Sequence, residues 1–167
     1  MKAAVVLLAL LGALALQTTL SGLTISGAQM VNLIVVAVVY VALMFGPATG
    51  LMAGTAGGLA QDALGGGIVG IGGLSKTVIG FLSGVLGAHF NLSQPLSRFV
   101  MFVAATAVHE VCFQGLYALV ETRPFRLPYP PLLTQAFVNG LVGLAAFFVV
   151  EEMPGLLQRR RARRGRY

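Results

Sequence analysis

The sequence predicts an all-α, polytopic membrane protein with about six transmembrane helices, and three observations carry that prediction. Of 167 residues, 57% are apolar and only 10% are charged, against roughly 25% charged in a soluble domain. Uncharged runs of about 20 residues, long enough to cross a bilayer as a helix, recur along the chain. Glycine- and proline-rich punctuation separates these runs. The chain therefore reads as one transmembrane helical domain over residues 1–152 followed by a basic cytoplasmic tail over 153–167.

The first segment, Ala3 to Leu20, has the lysine, apolar stretch and Ala-x-Ala of a signal peptide, but its apolarity continues to Leu20 and an uncleaved helix is expected. After SGLTISGA comes Gln29 to Phe45, closed by Gly46-Pro47. The third segment, Ala48 to Asp62, is short and glycine-rich. It is expected either as a short helix enclosed by its neighbours or as a partly re-entrant one. Ile68 to Phe90, Arg98 to Val120 and Leu132 to Val150 complete the set, separated by NLSQPLS and by ETRPFRLPYPP. The latter stretch is proline-stiffened and presents Phe125, Arg126 and Tyr129, either as a plain turn or toward a partner.

The net charge of +6 lies entirely in the tail, in Arg159, Arg160, Arg161, Arg163, Arg164 and Arg166, because the other five basic and five acidic residues cancel. A basic run directly after an apolar helix fixes topology and touches anionic lipid, so lipid is expected as its partner and nucleic acid is not. The tail and Lys2 place both termini in the cytoplasm, which an even number of spans requires. Arg98 agrees with this orientation, whereas Arg123 and Arg126 fall outside against it. Cys112 is the sole cysteine, which excludes an internal disulfide or a multi-cysteine metal site.

A count by fours through GPATGLMAGTAGGLAQDALGGGIVG meets Gly46, Gly50, Gly54, Gly58, Asp62, Gly66 and Gly70. Residues four apart stack on one helix face, so the glycines trace a groove without side chains that admits another helix at backbone distance. Gly80, Gly84 and Ala88 repeat the pattern on the fourth segment. The two strips either face each other or leave one to dock a helix from another subunit. Asp62, at the mouth of the groove, either caps backbone amides locally or contacts that partner.

Ionisable and amide groups also fall near the midplane: Lys76, His109, Glu110 and Asn139. Such residues face a bundle interior and pair. A Lys76–Glu110 ion pair is expected, with His109 or Asn139 satisfying what remains; the alternative is a small-molecule site lined by all four. Catalysis is not expected, because the second histidine of a zinc-protease motif is missing at Phe113 and no nucleophile elbow or phosphate loop exists. No metal or cofactor is implied.

The run Gly54-xxx-Gly58-xxx-Asp62-xxx-Gly66-xxx-Gly70 followed by LSKTVIGFLSG resembles the central signature of the MreD family, the rod shape-determining membrane proteins of bacteria. Lys76 and the arginine tail depart from the common pattern. The resemblance implies a non-enzymatic inner-membrane scaffold of the cell-elongation machinery. It would dock an MreC-like bitopic protein and link the MreB filament to peptidoglycan synthases. The expected docking residues are Gly50, Gly54, Gly58, Asp62, Gly66 and Gly70. The resemblance also implies a fold similar to the substrate-binding subunits of energy-coupling-factor transporters, and hence, as the alternative function, a vitamin-transporter subunit.

Overall fold

In the computed structural model, which describes residues 2–20, 24–25, 28–90, 92 and 94–152, the chain is all-α with six helices. They are α1 (Lys2–Thr19), α2 (Leu33–Phe45), α3 (Pro47–Gly65), α4 (Ile71–His89), α5 (Pro95–Val120) and α6 (Tyr129–Phe147). Between α1 and α2, two-residue strands β1 (Thr24–Ile25) and β2 (Ala28–Gln29) pair antiparallel, and α6 runs into a π-helical turn at Phe148–Glu152. Four helical stretches are long and apolar enough to span: Lys2–Thr19, Ile71–His89, Pro95–Val120 and Tyr129–Glu151. The chain is thus a multi-pass membrane protein. The basic tail expected to bind lipid, Arg159 to Arg166, lies outside the described residues.

The two helices outside that set differ for separate reasons. α2 is wholly apolar but has 13 residues, about 20 Å of helix. Its core residues Ile34, Val35, Val38, Val39, Val41 and Ala42 are all at or below 1% exposure, which makes α2 the axis around which the others pack. α3 is one continuous helix rather than a re-entrant turn. Glycine dilutes its hydropathy, and packing on its neighbours replaces the propensity that glycine lacks. α6 begins three residues before the expected Leu132, with Pro130 and Pro131 in its first turn, where a missing N–H costs nothing.

α3 packs most extensively on α4, and the glycines are the reason. A Cβ placed on Gly50 would meet the Gly80 carbonyl and Ala42; on Gly54, the backbone of Lys76 and Thr77; on Gly58, the backbone of Gly72 and Gly73. From the other side, Gly80 abuts Gly50 and Gly84 abuts Pro47. The two strips therefore face each other. The groove expected for a partner's helix is occupied by the chain's own α4, because backbone-to-backbone contact between two smooth faces excludes any third helix. Thr55 and Thr77 hydroxyls hydrogen-bond across the same seam at 2.7 Å.

At one end of the bundle a polar stitch holds α2 to its neighbours. Gln17 of α1 donates to Gln29 Oε1 and the Val31 carbonyl and accepts from the Leu33 amide. Asn32 caps α2 by accepting from the Val35 amide. At the opposite end Arg98 joins α5 to the end of α6, forming a 3.0 Å ion pair with Glu151 and lying over the Phe147 ring.

Gly54→Ala should lower stability by about 1–3 kcal/mol or more through overpacking against the α4 backbone. Gly12→Ala, where an added Cβ meets nothing within 4 Å, should leave it unchanged or slightly raised. Thermal unfolding of the two variants in the same detergent separates these outcomes.

Candidate functional site

Where the glycine contact ends, α3 and α4 diverge into a turn. Gly66 (φ 68°) closes α3 in the left-handed region and Gly70 (φ 108°) opens α4 with φ of the same sign. A Cβ added at either glycine would meet nothing within 4 Å, so neither lies against a neighbouring helix. These two glycines serve the turn's backbone geometry and do not extend the helix-packing face, which corrects their expected role as docking residues.

Asp62 answers to this turn. Its Oδ2 accepts from the Gly70 amide at 2.8 Å and the Gly73 amide at 3.0 Å, and its Oδ1 lies against Gly72. The carboxylate of α3 therefore caps the first turn of α4, where the amides are unpaired within the helix and the dipole favours negative charge. An acid falls on the beat of the glycine repeat because that face points at the start of α4. Its hydrogen bonds go to this cap.

Beside the cap lies a cavity of about 310 Å³ between the end of α3, the start of α4, the second half of α5 and the starts of α2 and α6. Asp62, Lys76, His109 and Glu110 all line it. Lys76 and His109 are each 2% exposed. The expected Lys76–Glu110 ion pair is absent. Among the described residues the ion pairs are Arg98–Glu151 and Arg123–Glu121, and Lys76 has neither an ion pair nor a hydrogen bond. Glu110 instead accepts from Gln114 Nε2 at 2.7 Å, one turn along its own helix. Both line the cavity without meeting.

Asn139 departs from the expected cluster. Fully buried, it accepts from the Asn32 amide at 3.0 Å and donates to Thr106 at 3.1 Å, tying α6 to α2 and α5 without lining the cavity. Sequence reasoning missed Gln29, Asn32, Gln61, Gln114 and Gln135, whose amides supply most of the remaining polar wall. The available signal was their position: each lies near the same end of an apolar segment. Gln135 donates to the Gln29 carbonyl at 2.9 Å, whereas Gln61 Oε1 and His109 Nδ1 are buried with no partner. His109, Phe113 and Tyr117 form an aromatic ladder on α5, with successive centroids 5.8 and 4.9 Å apart, and the Tyr117 hydroxyl accepts from the Ile68 amide in the α3–α4 turn.

This arrangement suits binding. A buried cation, a carboxylate and several amides without full complements of partners surround a space large enough for a small molecule, and unmade hydrogen bonds of this kind are costly until a ligand or water makes them. Among the described residues no cluster of three or more metal-binding side chains occurs.

Comparison with known families matches the chain to the family described as 5TMR of 5TMR-LYT, over residues 1–129. Neither a curated protein nor a solved structure gives a match. The match overturns the resemblance to MreD, and with it the scaffold role, the docking of an MreC-like protein, the link to MreB and peptidoglycan synthesis, and the transporter alternative. The spacing that carried the resemblance is a general solution for packing two helices at backbone distance and capping the second, and does not belong to one family.

Asp62→Ala should destabilise the protein by about 1–3 kcal/mol, since two partly buried amides lose their acceptor, and Asp62→Asn by less. Lys76→Met, of similar volume, should raise stability by about 1 kcal/mol or more by removing a buried charge that no hydrogen bond or close ion pair holds. Thermal unfolding in detergent reads both.

Proposed function

Because the chain belongs to the 5TMR-of-5TMR-LYT family of membrane sensor domains, typically the input modules of LytS-type sensor histidine kinases, we propose that it is a non-enzymatic membrane receptor module. Its cavity admits a small polar molecule, and occupancy is passed on through α5 and α6. The observation that carries this reading is Lys76, buried on the wall of a polar cavity with Asp62 and Glu110 acting on it electrostatically but with no hydrogen bond or ion pair of its own. A purely structural lysine at that depth would be paired, because an isolated charge in a membrane interior is costly. A binding site keeps its charge free for the ligand.

The bilayer orientation supports an input role. With Lys2 and Arg98 on the cytoplasmic side by the positive-inside rule, the end of the bundle that holds the cavity faces outward from a cytoplasmic membrane. The ends of α5 and α6 joined by Arg98 and Glu151 face inward. A ligand reaching Gln61, Lys76 and Glu110 contacts α3, α4 and α5 together, so binding biases how these helices sit against one another. A two-state shift of that kind is what a receptor module requires.

Pooled small polar metabolites should raise the melting temperature of the full chain in nanodiscs by several degrees at saturating concentration. Gln61→Phe, which directs a ring toward the cavity, should abolish the shift while the protein stays monodisperse. An unchanged shift in that variant would place binding elsewhere. Thr122→Cys in a Cys112→Ala background should react with a membrane-impermeant maleimide from outside intact cells; protection there, with reaction only after permeabilisation, would reverse the orientation.

A further inference from the structure

The receptor reading leaves the ligand's chemistry open, and the cavity's unmet valences narrow it. Asp62, Lys76 and Glu110 bring charge to its wall. The Asp62 carboxylate is already answered by the Gly70 and Gly73 amides and by the positive end of α4. That leaves one cation and one anion. Lys76 makes no hydrogen bond or ion pair, although Asp62 and Glu110 act on it through space, and the one hydrogen bond Glu110 makes is to a neutral group, Gln114. Gln61 Oε1 adds a buried acceptor without a donor, and His109 Nδ1 a buried ring nitrogen without a partner. The site therefore lacks an anion beside Lys76 and a donor group beside Glu110 and Gln61.

A ligand carrying only a negative charge would satisfy Lys76 and leave Glu110 without a counter-charge on the cavity wall. A ligand carrying only a positive charge would do the converse. Neither closes the electrostatic balance, and an uncompensated charge in such a setting is expensive. A neutral molecule bearing both groups closes it. The volume of about 310 Å³ lies at the small end of ligand pockets, which suits a molecule the size of an amino acid. The Phe113 and Tyr117 rings on the wall offer an apolar surface to a side chain.

Resting on the receptor reading, we propose that the cavity binds a small zwitterion of the α-amino-acid type, with its carboxylate on Lys76 and its ammonium between Glu110 and Gln61. Each end of the ligand then replaces a partner that the fold does not provide. The zwitterion brings to the site the bridge that Lys76 and Glu110 do not make directly.

The test uses the full chain in nanodiscs and follows thermal unfolding and equilibrium binding with each proteinogenic L-amino acid. For every one that stabilises the protein, the matched amine lacking the carboxylate and the matched carboxylate lacking the amine are measured alongside. At least one amino acid should bind, and both truncated analogues should bind about tenfold or more weakly, the cost of losing one charge-assisted contact. In Glu110→Gln the truncated carboxylate should bind as well as the parent amino acid, and in Lys76→Met the truncated amine should. If either variant fails to fold, the analogue comparison on the unaltered chain decides by itself. A carboxylate without an amine that binds as tightly as its parent overturns the zwitterion while leaving the receptor site standing, as does stabilisation by pooled metabolites but by no amino acid. Absence of stabilisation by both amino acids and pooled metabolites overturns the receptor reading as well.

Discussion

Backbone contact between α3 and α4 is the constraint on which the rest of the structure depends. Gly50, Gly54 and Gly58 lie on Gly80, the Lys76 backbone and Gly73 with no room for a Cβ. In lipid this contact has no hydrophobic drive, so it rests on dispersion between closely apposed backbones and on the hydroxyl bridge from Thr55 to Thr77. It fixes α4 in depth and rotation against α3. Everything that α4 carries, including Lys76, is positioned by it.

The same contact creates the cavity. Two helices that touch backbone to backbone must be joined by a tight turn, and here the turn is closed by positive-φ glycines and held by Asp62. The turn brings the start of α4 beside the second half of α5 without filling the space between them. Amide side chains from the ends of α2, α3, α5 and α6 line what is left. The distribution of polarity is therefore not arbitrary: one end of the bundle is tied by hydrogen bonds around open space, and the other by the Arg98–Glu151 pair and the Phe147 ring.

The helices were legible in the sequence to within a few residues, including the one that glycine made least secure. What misled was treating a local pattern as evidence of family. The glycine–acid spacing describes a packing device, and the family match over residues 1–129 assigns the chain elsewhere. Of the four midplane polar residues, Lys76, His109 and Glu110 do come together, but Asn139 belongs to the stitch between α2, α5 and α6. The glutamines of the wall escaped notice because an amide near a helix end is ordinary, and only convergence of several from different helices makes a site.

By itself the sequence determined that the chain resides in a membrane, where its helices begin and end, and which faces are smooth or polar. These properties are local: hydrophobic length, glycine spacing and turn residues act within a few residues of one another. The tertiary structure decided what each face meets. A smooth strip accepts any helix of complementary shape, and equal depth along two helices does not fix the rotation that would bring Lys76 and Glu110 into contact. The packing of α4 on α3 and of α5 on α4 and α6 set that rotation, and it left Lys76 and Glu110 on the wall of one cavity without an ion pair.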